Sequence, residues 1–114
     1  MRIIVAAKGN QLTSPVDEKF GHAAYFITLD SESGQILDAF DNRDHSGEIE
    51  TGKETAERVA SLAGEALVSL NMGPKALKIL KEAGVRVLLL PDGAEQATVG
   101  ETVEYLRRDE LSEA

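Results

Sequence analysis

The 114 residues, 42 % of them apolar, are enough for one hydrophobic core and too few for two, so the sequence predicts a single domain spanning 1–114. The absence of cysteine excludes disulfides, thiolate nucleophiles and cysteine-held metal sites, and a net charge of −8 sets the surface against phosphate backbones, which excludes nucleic acid as the expected partner. The apolar start is broken by Lys8, and no run reaches the length of a membrane span, so the expectation is a cytoplasmic protein without a membrane partner.

Arg2–Ala7 (RIIVAA) is a continuous apolar run with β-branched residues in its middle, the pattern of a strand buried on both faces. Gly9, Asn10 and Ser14-Pro15 mark a loop. Ala23–Asp30 (AAYFITLD) reads as a second strand, Ser31–Gly34 as a tight turn and Gln35–Asn42 as a third strand, so these two strands form a hairpin. Asn42–Gly52 is a long polar loop, expected to be mobile without ligand. A helix follows, opened by a Thr51–Glu54 capping box, striped by Ala56, Val59, Ala60 and Ala63, and stopped by Gly64. Ala66–Leu70 is a fourth strand. The next helix has Pro74 in its first turn and Gly84 at its end. Val85–Leu90 is a fifth strand, Thr98 with Glu101 caps a last helix, and the terminal RRDELSEA reads as a fraying end.

The order β-β-β-α-β-α-β-α, with right-handed crossovers, predicts an α/β fold with helices on both faces of a five-stranded mixed sheet in the order 3-2-1-4-5. Only the second strand is expected to run antiparallel, the ribonuclease H-like arrangement. A flavodoxin-like parallel sheet is the weaker alternative, because it needs a helix between the first two strands.

This topology brings four segments to one edge of the sheet: the Lys8–Lys19 loop, His22, the loop holding His45, and Asn71-Met72-Gly73-Pro74. Ligands of open α/β sheets favour that edge, near the point where strand order reverses. Gly73 and Pro74 open a helix whose free N–H groups attract an anion, Lys75 sits in its first turn, and Lys8 and Lys19 come from the facing loop. His22 is the candidate metal ligand. The plainer alternatives are a hydrogen-bonded surface histidine at 22, ordinary helix-start chemistry at Gly73-Pro74, a core plug at Phe20, an unusual backbone angle at Gly21, and packing for Met72.

The stretch SPVDEKFGHAAYFITLD resembles the signature of the dinitrogenase iron–molybdenum cofactor biosynthesis family, whose small members read much like S-x-V-D-x-x-F-G-x-A-x-x-F-x-x-x-D. Ser14, Val16, Asp17, Phe20, Gly21, Ala23, Phe26 and Asp30 fit that pattern. DHSGEIETGKETAERVA, ALVSLNMGPKALKILKEAGVRVLLLPDG and TVGETVEYLRRDEL resemble the later segments of the family, so the likeness covers nearly the whole chain. It implies a ribonuclease H-like fold and non-catalytic, transient binding of an iron–sulfur or iron–molybdenum type cofactor or its precursor. A protein partner in cofactor delivery is implied as well. The resemblance carries a ligand role over to His22 alone, and nothing to His45.

Three function classes follow: a binding or carrier module for a metal–sulfur cofactor, a regulatory or scaffolding domain for a protein partner, and a ribonuclease H-type nuclease. The nuclease needs carboxylates holding two metal ions, one of them normally on the first strand. RIIVAA has none.

Overall fold

The computed structural model describes residues 1–43 and 52–114. The expected loop 42–52, the Thr51 half of the capping box and His45 therefore lie largely outside the described residues. Asn42 is inside them and is buried. Its backbone N–H donates to Ala24 and its side-chain amide to Ala23, both at 2.8 Å.

The strands are β1 (Arg2–Ala7), β2 (Tyr25–Asp30), β3 (Ile36–Asp41), β4 (Ala66–Ser69), β5 (Arg86–Leu89) and β6 (Ser112–Glu113). Among the described residues the helices are α1 (Gly52–Ala60), α2 (Pro74–Glu82) and α3 (Val99–Arg107), with one turn of 3-10 helix at Phe20–His22. The sheet order is β3-β2-β1-β4-β5-β6. β1 pairs parallel with β4, and β4 with β5, while β2 runs against both β1 and β3.

β1 lies in the middle, and alternate residues feed two cores. Ile3, Val5 and Ala7 join Ile27, Leu29, Val68, Val99 and Val103 under α3. Ile4 and Ala6 join Phe26, Leu67, Ala56, Val59, Ala76 and Leu80 under α1 and α2. That two-sided burial is why RIIVAA shows no alternation.

The expected five-stranded sheet is corrected to six, and β2 is not the only reversed strand. The supposedly fraying end turns at Asp109 (φ 56) and lays β6 antiparallel along β5, pairing Leu88 with Glu113 and Leu89 with Ser112. Arg86 closes an exposed, hydrogen-bonded ion pair with Glu113 at 2.8 Å, which holds the pKa of that carboxyl below the usual carboxylate range. Composition hid this strand. Its charges face solvent, yet Leu111 packs on one core and Ala114 on the other, and the strand covers an edge of β5 that would otherwise be open.

Local signals read well where a cap or a turn decides the backbone. Thr98 accepts from the Glu101 N–H, and Glu101 accepts from the Thr98 N–H, completing the α3 capping box. Gly84 follows the α2 cap at φ +82, and Val85 N–H reaches back to the Leu80 carbonyl at 2.9 Å.

Gly64 is a different case. α1 ends at Ala60, and the left-handed residue is Ala63 (φ 60), not Gly64. A Cβ on Gly64 would come under 3.0 Å from Ile4 Cδ1 and Cγ1, so glycine is needed there for close packing against a fully buried side chain. Gly64→Ala is expected to cost about 1–3 kcal/mol by overpacking. Ala63→Gly is expected to stabilise, since it removes the left-handed penalty on alanine. Urea unfolding of the two variants checks the opposite signs; equal midpoints would contradict this packing.

Candidate functional site

The chain segments around the carboxyl ends of β1 and β4 enclose a cleft of about 470 Å³ lined by Phe20, Gly21, His22 and the run Asn71–Ala76. One wall is the 3-10 turn before β2. The other is the β4–α2 connection with the first residues of α2.

The first wall is built from β1 outward. The Asp17 N–H donates to the Ala6 carbonyl at 2.8 Å, and the Asp17 carboxylate accepts the Lys19 N–H at 2.9 Å. His22 N–H then closes the turn on the Lys19 carbonyl at 3.1 Å. Phe20 is buried beneath the turn, edge-on to Phe26 with centroids 5.8 Å apart and planes at 61°. With the ring fixed below, the two following residues face the cleft, and His22 is exposed.

The second wall begins where β4 ends. Ser69, buried, donates its hydroxyl to the Asn71 carbonyl at 2.7 Å and so sets the turn into α2. Gly73 is the N-cap of α2 and has no side chain to cap with, and Pro74 takes the first helical position. Ala76 is buried at the floor, Met72 is half-buried and packs on the α1–α2 core, and Lys75 is exposed at the rim.

The electrostatics of the cleft are those of a small positive opening on an acidic chain. The α2 N-terminus contributes partial positive charge, and Lys75 a full one. Among the described residues Lys75 makes no ion pair, whereas Arg43, Arg86, Arg107 and Arg108 are each paired with a carboxylate. The Arg43 guanidinium, for instance, holds the Asp41 carboxyl down to about 2. Phe20, Met72, Pro74 and Ala76 supply the apolar part of the lining.

Five of the six residues singled out from sequence thus come together: Gly21, His22, Gly73, Pro74 and Lys75. Lys19 is exposed just before the 3-10 turn and is not part of the lining. Lys8 also lies outside it; the Lys8–Lys19 loop folds toward α3, with Val99 N–H on the Ser14 carbonyl and Gly100 N–H on the Leu12 carbonyl, both at 2.9 Å. The expected odd backbone angle at Gly21 is overturned, because its φ is not positive. Phe20, Asn71, Met72 and Ala76 also line the cleft and are not among those six, although the topology places Asn71 and Met72 at this edge. The available signal for Asn71, Met72 and Ala76 was their position between a strand end and a helix start. Asp17 carries a second missed role, that of holding the turn, and its place three residues before Phe20 was the only sign of it.

The architecture is thus a three-layer α/β protein with an edge cleft at the strand-order reversal, the usual ligand position in open α/β sheets. The chain belongs to the dinitrogenase iron-molybdenum cofactor family, whose family pattern matches residues 1–107. It is similar to the orange protein of Desulfovibrio gigas, solved in its apo form, with 28 % identity and a TM-score of 0.84 over 99 % of this chain and 92 % of that one. It is also similar to a Thermotoga protein named for NifB, with 30 % identity and a TM-score of 0.77 over 98 % and 91 % of the two chains. An uncharacterised protein of Methanocaldococcus jannaschii shares 27 % identity over 94 residues, 76 % of this chain and 80 % of the other.

Proposed function

We propose that this protein is a non-catalytic carrier that binds a metal–sulfur cofactor, of iron–sulfur or iron–molybdenum type, or a precursor of one, and releases it to a protein partner. The observation that carries this reading is the edge cleft itself, where an imidazole, an ammonium group and a helix start meet over an apolar floor in a protein of the cofactor family. The order of β1 to β5 with β2 reversed supports the ribonuclease H-like description of the fold.

The donor set constrains the cargo. The chain has no cysteine, and among the described residues no three histidine or carboxylate side chains gather as a metal site. A bare zinc-like ion needs about four ligands, and a cargo that arrives with its own sulfur ligands fits this donor set better. His22 then adds one bond to a metal of the cluster, and Lys75 with the α2 N-terminus balances the negative charge of a sulfide-rich species. An exchangeable single ligand and an open rim suit a carrier, which must release what it binds.

Anaerobic purification followed by metal and acid-labile sulfide analysis tests this reading. Metal and sulfide co-eluting with the protein, in proportion and up to one cluster per chain, is the expected result; a protein free of both that also takes up no cluster when one is supplied would overturn it. No cleavage of an RNA–DNA hybrid is expected with magnesium or manganese, given the carboxylate-free β1. Hybrid cleavage that an Asp17 substitution abolishes would restore the nuclease reading.

A further inference from the structure

We infer that Gly21 and Gly73 are clearance positions, kept without side chains so that a bulky cargo can rest against the backbone of both cleft walls. This rests on the carrier reading and adds which positions set the size of what is carried.

The inference comes from comparing the glycines. Gly34, Gly84 and Gly93 have positive φ, which side chains other than glycine rarely adopt. Gly9, Gly64 and Gly100 face neighbouring atoms that an added Cβ would meet at 3.3 Å or less. Gly21 and Gly73 have neither reason. Among the described residues, a Cβ on Gly21 would touch only Thr55 Oγ1, at an ordinary 3.9 Å, and a Cβ on Gly73 would meet nothing within 4 Å. Among the glycines so described, these two alone are unexplained by the fold, and both line the cleft, one from each wall.

Gly73 shows the point from a second direction. As N-cap of α2 it occupies a position where serine, threonine, aspartate or asparagine would cap the helix at least as well, as Thr98 does for α3. A better capping residue is absent where its side chain would stand in the cleft. Glycine is a general choice where a backbone closely approaches a ligand. The cargo so described is larger than a simple oxyanion and reaches from the 3-10 turn to the α2 start.

The test uses Gly21→Ala, Gly73→Ser and the double variant, with Gln96→Ala, exposed and outside the cleft lining, as control. Each is melted and then titrated anaerobically with a synthetic thiolate-capped [4Fe–4S] cluster, followed by optical absorption. The expected result is an unchanged or raised melting temperature with cluster affinity reduced about tenfold or more in each single variant and further in the double. The control binds like wild type. Wild-type affinity in the double variant would overturn the inference while leaving the carrier reading intact. A fall in melting temperature that accompanies the binding loss would overturn it too, by showing that the fold needs these glycines. Failure of the wild-type protein itself to bind would overturn the carrier reading and this inference with it.

Discussion

Phe26→Ala is expected to be the most destabilising single truncation in the protein. Phe26, the second residue of β2, is the largest of the fully buried side chains and packs edge-on against Phe20. Truncating a buried phenylalanine costs about 3–5 kcal/mol through lost transfer energy and the cavity left behind. A domain of this size has only about 5–15 kcal/mol to lose. The damage is also directional. Phe20 would lose the ring it rests on, and Phe20 is what holds the 3-10 turn down, so the wall carrying Gly21 and His22 should loosen even in molecules that stay folded. Phe26→Leu, which keeps most of the volume, should recover much of the stability. Urea unfolding gives the measurement: the midpoint should fall steeply with the slope unchanged. A loss below about 1 kcal/mol would mean that the two rings do not form the core of this face.

His22→Ala should weaken cargo binding much more than Lys75→Ala, with little effect on the fold. The two basic side chains of the cleft act by different physics. In the proposed complex the imidazole forms a coordinate bond, and its removal deletes that bond together with the geometry it imposes. A loss of about tenfold or more in affinity is expected, near 1.4 kcal/mol for each factor of ten. Lys75 acts through space from an exposed rim, and its removal should cost about 0.3–1 kcal/mol. Only the lysine effect should fade as salt rises, because screening at about 1 M confines exposed charges to a few ångströms. Anaerobic titration of both variants at low and high salt separates them. Equal binding by His22→Ala and wild type would remove the histidine from the site.

What could be read from the sequence follows a physical line. Elements fixed by local chemistry were legible: β1 from its unbroken apolar run, the α3 start from Thr98 and Glu101, the α2 end from Gly84. The meeting of the Phe20–His22 turn with the Asn71–Ala76 segment was legible from topology, since antiparallel β2 begins at the edge where β4 ends. Glycine was the ambiguous letter. Gly64 resembled a helix stop and turned out to be a contact with Ile4, while Ala63 took the left-handed angle; Gly21 suggested an unusual angle and has an ordinary one. The same residue type answers three needs, and only coordinates tell which. β6 was illegible for another reason. Two exposed polar residues carry no hydrophobic signal, and their pairing depends on an open edge of β5 that sequence does not show. Lys19 sits one residue before the turn, and whether that one residue falls inside or outside the lining is below the resolution of a pattern.

The central claim is that a metal–sulfur cluster sits between the two walls of this cleft, and amide NMR of the isotope-labelled protein during anaerobic addition of a synthetic cluster tests it most directly. Signals of Gly21, His22, Gly73, Lys75 and Ala76 should shift or broaden first and saturate at one cluster per chain, while those of β3, β6 and α3 stay in place. Perturbations that gather on β3 or α3 instead, or spectra unchanged with the cluster in excess, would contradict the account.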